Sequence, residues 1–337
     1  MAEPAASHPP LRIGVLGCAD IARRRLLPAF AGAPDTEVAA VAGRDGRRAA
    51  AVARRFGCVP VEGYAELLAM DSVDAVYVPL PAALHAPWTE AALLAGKHVL
   101  AEKPLTTDPA ATRRLLSLAR ARGLVLMENV MFLHHPQHAR VRELLDDGAI
   151  GELRSFSAQF GVPRLPAGDI RHAPELGGGA LLDIGIYPAR AAAYFLGSPL
   201  SVAGAVLERG SYAAVETSGT ALLRSGRGVS AQLAFGMDHG YRSSYELWGS
   251  AGRITVERAF TPPPDHRPVI RLERGGRAEE IVLEPADQVS RTVRAFAAAC
   301  RAGLAGAPDA RACLEQAELL DGIRRLSHTP YAAEGHR

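Results

Sequence analysis

Lysine is almost missing from this sequence. Of 38 basic side chains only Lys97 and Lys103 are lysines, and the other 36 are arginines. A G+C-rich coding sequence accounts for that bias, and for the many alanines, glycines and prolines. Where arginine is the default cation, a lysine raises the question of whether the position needs a compact, titratable amine. Cysteine is scarce too: Cys18, Cys58, Cys300 and Cys313 lie far apart, with no CxxC. That excludes a disulfide framework and predicts free thiols in the cytosol. There is no charge excess, since 38 basic residues face 36 acidic ones for a net +2. A nucleic-acid or membrane-surface binder is thereby excluded. No apolar run approaches the ~20 residues of a membrane span. Met1–Pro10 lacks the basic and apolar regions of a secretory signal and reads as a disordered tail.

What is present is an ordinary globular composition, 48% hydrophobic and 22% charged over 337 residues, enough for two domains. From Leu11, strand-like runs alternate with helix-like ones. Strands are expected at Leu11–Leu16, Glu37–Ala42, Val73–Val78, His98–Ala101 and Leu124–Met127. Helices are expected at Ile21–Ala31, Asp45–Phe56, around Ala65–Met70, at Ala82–Ala95, and from Asp108 to Gly123. The grammar is that of a doubly wound parallel sheet, α/β in class, over 11–129. From 130 to 330 the pattern changes to α+β. A helix Gln137–Asp147 and an antiparallel strand Glu152–Phe160 precede a helix that opens at Gly177–Gly179 and runs toward Leu196. Strands then fill Ser201–Leu283, forming one large, mostly antiparallel, open-faced sheet, and helices close the domain at Asp287–Ala302 and Asp309–Leu326.

The first strand runs into Gly17-Cys18-Ala19-Asp20-Ile21-Ala22. This is the G-x-G-x-x-G register with alanine at the second and third places. Gly17 allows the tight turn, Ala19 lets a pyrophosphate approach the backbone, and Ala22 lets helix and strand pack. At the end of the second strand, where an NAD site carries an acid, stand Gly43 and Arg44. Gly43 removes a charge that would repel a 2′-phosphate and Arg44 offers one that would bind it, so the expected cofactor is NADP(H). The competing reading makes Arg44 a solvated arginine at a helix start. Glu102-Lys103-Pro104 ends the His98 strand at the carboxyl edge of the sheet, where open α/β folds place ligands. Asp183 and Tyr187 are four apart and share a helix face, and Pro188 puts Tyr187 near that helix's start.

Glu-Lys-Pro after a Rossmann strand, followed by Gly-Gly-Gly-Ala-Leu-Leu-Asp183-Ile-Gly-Ile-Tyr187, resembles the Gfo/Idh/MocA family of sugar and polyol oxidoreductases. The resemblance runs from Leu11 to about Leu326. Met127–His138, Gly168–Arg171 and Tyr245–Ser250 resemble more narrowly the NADPH-dependent sugar 3-ketoreductases of deoxysugar and antibiotic biosynthesis, which work on nucleotide-linked hexoses. The resemblance implies that Lys103 sits beside nicotinamide and substrate carbonyl while Tyr187 donates the proton. Many family members carry histidine at the place of Tyr187. A nearby ammonium would lower the phenol below its ordinary ~10. Asp183 would bind a sugar hydroxyl or position Lys103. Pro79, Leu80, Pro81 and His85 would lie against the cofactor, and a cis peptide would precede Pro104. A homodimer or tetramer would form through the open sheet.

Blander readings stand beside these: Asp183 as a helix cap, Tyr187 as a packed helix tyrosine, His85 as a loop histidine. Asp169 and Arg171 are substrate candidates, Arg171 for a nucleotide diphosphate, with a surface arginine as the alternative. His134, His135 and His138 lack a metal-binding pattern and read as core or pocket histidines. Lys97, in an Ala-Gly-Lys-His turn, has no role beyond solubility. The expected reaction is reduction of the C3 ketone of a dTDP-3,4-diketo-2,6-dideoxyhexose to the 4-keto sugar. A sugar or trans-dihydrodiol dehydrogenase is the alternative, and a non-catalytic NADP-binding regulator is the alternative from another class.

Overall fold

The computed structural model describes residues 9–197, 199–303 and 310–327. Residues 1–8 of the expected tail, the expected helix start at Asp309, and 328–330 lie outside the described residues. The first sheet contains β1 (Leu11–Leu16), β2 (Thr36–Gly43), β3 (Val59–Glu62), β4 (Ala75–Val78), β5 (His98–Glu102) and β6 (Leu126–Asn129). All are parallel, in the order β3-β2-β1-β4-β5-β6. The order reverses between β1 and β4, which opens a crevice beyond their carboxyl ends. Asp45 and Asp108 cap helices as their positions predict, accepting from the backbone N–H of Arg47 and of Ala110 and Ala111. β3 was not expected. It is a short, mostly exposed edge strand with Pro60 inside it, so it lacks both an apolar run and an alternating pattern.

The second sheet contains β7 (Leu153–Gly161), β8 (Leu200–Glu208), β9 (Ser218–Ser225), β10 (Ser230–Gly236), β11 (Arg242–Gly249), β12 (Gly252–Glu257), β13 (Val269–Arg274) and β14 (Arg277–Val282). Their order is β14-β13-β12-β11-β7-β10-β9-β8. β7, expected to be antiparallel, is antiparallel to β11 but parallel to β10. Its Phe156, Ala158 and Phe160 point inward with Leu233, Phe235, Tyr245 and Leu247 to bury the helix Ile186–Leu196. The outer face is solvent-facing and carries Leu222 and Trp248, the latter 60% exposed.

The division of the helices differs from expectation. Gln288–Ala302, expected in the second domain, returns to the first sheet. Its Val289, Val293 and Phe296 pack with Ile13, Val15 and Phe30. The apolar stripe is legible, but nothing in it says which sheet it meets. Helix Ala310–Ser327 serves both units, with Cys313 in the first core and Leu319, Leu320 and Ile323 in the second. A boundary near 129 therefore separates the sheets but not the helices that cover them. Lys97 is buried rather than solvated. Its Nζ donates to the carbonyls of Met70 at 2.9 Å and Val73 at 2.8 Å, tying the connection into β4 to the connection into β5. Among the described residues no helix is long and apolar enough to cross a membrane.

Candidate active site

β1 runs into Gly17, whose φ of +123° suits glycine alone. A Cβ there would also stand 3.1 Å from Leu80 Cδ2. The loop is thus a bare backbone turn facing the loop after β4. Asp20 is exposed and paired with Arg23 and Arg24, its own helix's arginines. Gly43 at the end of β2 is buried, and a Cβ on it would meet the Asp45 carbonyl oxygen at 3.2 Å and Ala49 Cβ at 3.4 Å. Little room is left for an acidic side chain. Arg44 is exposed and has no ion pair among the described residues. Arg48, one helical turn on, was not anticipated. Burial raises the Tyr64 phenol, and Arg44 and Arg48 are both close enough to oppose that rise. A glycine-lined turn bordered by two guanidinium groups fits a dinucleotide bearing an extra phosphate.

β5 delivers Glu102 and Lys103 to the same edge. Glu102 is buried, and its Oε1 accepts from Tyr77 Oη and Asn129 Nδ2, each at 2.6 Å. The Lys103–Pro104 peptide is cis. Lys103 Nζ donates to Asp183 Oδ1 at 2.7 Å and to the Asp183 carbonyl at 2.8 Å. It lies 5.2 Å from the Tyr187 ring centroid. Leu181–Gly185 forms a wide turn ahead of the helix Ile186–Leu196, and Pro188 in that helix's first turn has no N–H to give the carbonyls before it.

Tyr187 is buried against Phe160 at 4.9 Å, Phe260 at 5.8 Å and Phe132 at 6.1 Å. Its hydroxyl has no hydrogen-bond partner among the described residues. The electrostatics differ from the expected lowering. Burial pushes the Tyr187 phenol up, Asp183 and Glu102 add to it, and Lys103 and Arg171 offset only part. The net position is above the ordinary value, because Lys103 does not face the phenol alone. Burial pushes Lys103 down, but Asp183 and Tyr187 more than reverse this and hold the ammonium charged. Burial pushes Asp183 up, and Lys103 and Arg171 overcome it to keep the carboxylate ionised.

The three glycines of 177–179 each admit a different neighbour. A Cβ on Gly177 would stand 2.9 Å from the Ala83 backbone nitrogen, across the seam to the first domain. One on Gly178 would stand 2.5 Å from the Arg171 carbonyl oxygen, and one on Gly179 would strike the Glu216 carboxylate. Glu216 receives the helix start, its Oε1 accepting from Leu181 N at 3.2 Å. Asp169 and Arg171 thereby reach the site, with Arg171 Nε donating to Asp183 Oδ2 at 2.7 Å. His85 is buried, with Nδ1 2.6 Å from the Pro104 carbonyl and Nε2 2.6 Å from the Leu80 carbonyl. Its ring sits between the loop after β4 and the turn at Lys103, and in the neutral form its one N–H donates to one of these two carbonyls. Among the described residues no group of three or more His, Cys, Asp or Glu is placed to hold a metal.

A family model described as an oxidoreductase family with an NAD-binding Rossmann fold matches residues 11–130, and the GFO/IDH/MocA C-terminal domain matches 138–255. A dTDP-3,4-didehydro-2,6-dideoxy-alpha-D-glucose 3-reductase of Actinomadura kijaniata is 54% identical over 324 residues, 96% of this chain and 97% of its own. The chain belongs to the Gfo/Idh/MocA oxidoreductase family. A protein of the same name from Streptomyces violaceoruber is 55% identical over 327 residues, 94% of this chain and 96% of its own. The crystal structure of KijD10, a 3-ketoreductase from Actinomadura kijaniata in complex with NADP and TDP-benzene, matches with a TM-score of 0.91 at 54% identity. It covers 94% of this chain and 98% of that one.

Two supporting groups of this Gfo/Idh/MocA chain carry no mark in the sequence. Glu128 Oε1 accepts from Leu105 N and Gln316 Nε2, both at 2.8 Å, and so ties the residue two past Lys103 to the C-terminal helix. Phe260 closes the Tyr187 box from the turn after β12. Neither has a local signal, because each acts on a partner distant in sequence.

Proposed function

We propose that this chain reduces the C3 ketone of a dTDP-3,4-diketo-2,6-dideoxyhexose to dTDP-4-keto-2,6-dideoxyhexose, with NADP(H) as cofactor. The observation that carries the reading is the convergence of Lys103, Asp183 and Tyr187 at the carboxyl edge of the first sheet. The relatives named above supply the substrate class. NADPH, when bound, supplies the hydride. Gly17, Cys18, Ala19, Ile21, Gly43, Arg44, Pro79, Leu80 and Pro81 border the crevice that would hold it, with Glu102 and His85 beneath. Tyr187 holds a proton on an unpartnered hydroxyl and passes it to the oxygen of the reacting ketone. Lys103, kept charged by Asp183, stabilises negative charge as it develops there.

The setting is the cytosolic deoxysugar branch of antibiotic biosynthesis, and the partner a second copy of the chain. The outer sheet face with Trp248 and Leu222 serves as the pairing surface of a dimer or tetramer. The deciding experiment is product identification after NADPH is mixed with freshly generated dTDP-3,4-diketo sugar. Formation of the 4-keto-2,6-dideoxy product supports the reading. Turnover with free sugars or diols alone replaces it with the dehydrogenase reading.

A further inference from the structure

Asp183 has two carboxylate oxygens and gives one to each of two cations. Lys103 Nζ takes Oδ1 and Arg171 Nε takes Oδ2, both at 2.7 Å. Arg171 is itself held. Its Nη1 donates to Asp169 Oδ1 at 3.2 Å, and the same oxygen accepts the Arg171 backbone N–H at 2.9 Å. Its carbonyl accepts from Gly179 N at 3.0 Å, where the absence of side chains on the glycines permits the approach. The guanidinium bridges two carboxylates, Nε to Asp183 and Nη1 to Asp169, and carries one positive charge between them.

We propose that Arg171 is a positioning residue: by holding Asp183 Oδ2 it keeps that carboxylate shared, so that the Lys103 ammonium stays directed at the Tyr187 ring. This rests on the reading of Lys103 and Tyr187 as the reacting pair. The charged groups acting on the phenol are Lys103, Asp183, Glu102 and Arg171, with Asp169 behind Arg171 and His85, kept toward neutrality by its burial, beyond Lys103. Phe132, Phe160 and Phe260 pack against its ring. The formal charges of the first four cancel. Without Arg171 the phenol faces a net negative set, and Asp183 is free to turn both oxygens toward Lys103.

The test uses the full chain as Arg171→Gln, Arg171→Lys and Asp169→Asn. Tyr187 ionisation is followed by NMR of isotopically labelled tyrosine, assigned with Tyr187→Phe and read without substrate. Steady-state kinetics with the diketo sugar nucleotide run alongside. Arg171→Gln is expected to move Tyr187 ionisation upward by about one pH unit. It should also lower kcat about tenfold while KM for the sugar nucleotide stays within about threefold. Arg171→Lys should restore most of the titration, and Asp169→Asn should fall between. An unmoved Tyr187 titration in Arg171→Gln overturns the proposal. So does a KM rise above about tenfold at unchanged kcat, which would make Arg171 a diphosphate contact only. A Tyr187→Phe chain that keeps its turnover overturns the acid assignment instead, whatever the titration shows, so the two failures are told apart.

Discussion

Lys103 reaches Asp183 twice, donating to its carboxylate at 2.7 Å and to its main-chain carbonyl at 2.8 Å. One residue of the second domain thus fixes the only cation of the first domain that lies against Tyr187 among the described residues. An ammonium can split its three donors among a carboxylate, a carbonyl and a ring face around one point. A guanidinium is planar and larger, and the Lys103 side chain is only 13% exposed. Lys103→Arg should keep the charge and lose about a hundredfold or more in kcat, with NADPH affinity within a few-fold. Steady-state kinetics with a fluorescence titration of the cofactor check both halves.

The raised Tyr187 phenol sets the sign of the pH dependence. With Tyr187 as the proposed proton donor, the working form in the reductive direction is the protonated one, present below the tyrosine's pKa and lost as pH rises through it. Burial, Asp183 and Glu102 put that point above the ordinary phenol value. The kcat profile should therefore be flat through neutrality, with one alkaline limb and no histidine-controlled step. Tyr187→Phe should cut turnover by roughly three orders of magnitude and leave NADPH affinity intact.

How far this site was legible in the sequence depends on the distance between partners. Buried runs such as Ala75–Val78 announce themselves as strands, and Gly17 announces its turn by composition and place. Val59–Glu62 does not, because Pro60 and exposure remove the signal. Lys103 and Asp183 stand 80 residues apart, so no spacing rule links them, and their partnership was available only through family resemblance. Arg171 reads nearly as well as a surface arginine, since its contact with Asp183 depends on how closely Gly178 lets its backbone approach. Lys97 drew attention by rarity alone, and its partners, two carbonyls, carry no sequence mark.

Cofactor choice should follow Arg44 at the end of β2 and Arg48 one helical turn on. Gly43 leaves little space for the acid that would hold a ribose hydroxyl, and Arg44 is exposed and unpaired among the described residues. Arg44→Ala should weaken NADPH about tenfold or more and leave NADH nearly unchanged, and adding Arg48→Ala should weaken NADPH further. The ratio of kcat/KM for the two cofactors reads the effect. An unchanged ratio in the double variant would remove both arginines from the 2′-phosphate site.

Two buried histidines should make the chain acid-sensitive. His138 Nε2 lies 3.0 Å from the Ala259 carbonyl and must donate to it, so Nδ1, 3.0 Å from Tyr245 Oη, accepts. Burial, with a contribution from His135, pushes His138 down to about 3; burial, with Arg291 and His266 nearby, pushes His135 down to about 4. Both folded values lie below the unfolded ~6.5, so between those limits the unfolded chain binds protons that the folded chain refuses. Stability therefore falls as pH drops from about 6.5 toward 4, by about 1.4 kcal/mol per pH unit for each histidine. His138→Gln can keep both hydrogen bonds without titrating. Denaturant unfolding across that range should show its slope reduced by about one histidine's share.

The other lysine offers the contrasting case, set in the packing away from the crevice where Lys103 stands. Lys97 Nζ fills the space between the Met70 and Val73 carbonyls, and Asp74 lies close enough to feel its charge. Lys97→Met retains the stem and removes the donors, leaving the buried Val73 carbonyl without its partner and the Met70 carbonyl with only the Val73 N–H at 3.3 Å. An unsatisfied buried acceptor costs about 1–3 kcal/mol, so a loss of that order is expected. The turn lies at the amino ends of β4 and β5, opposite the crevice. Lys97→Met should therefore lower the unfolding midpoint by several degrees while kcat and KM per folded molecule stay unchanged. A kcat that falls with Lys97→Met at full folding would place this lysine in the working machinery after all.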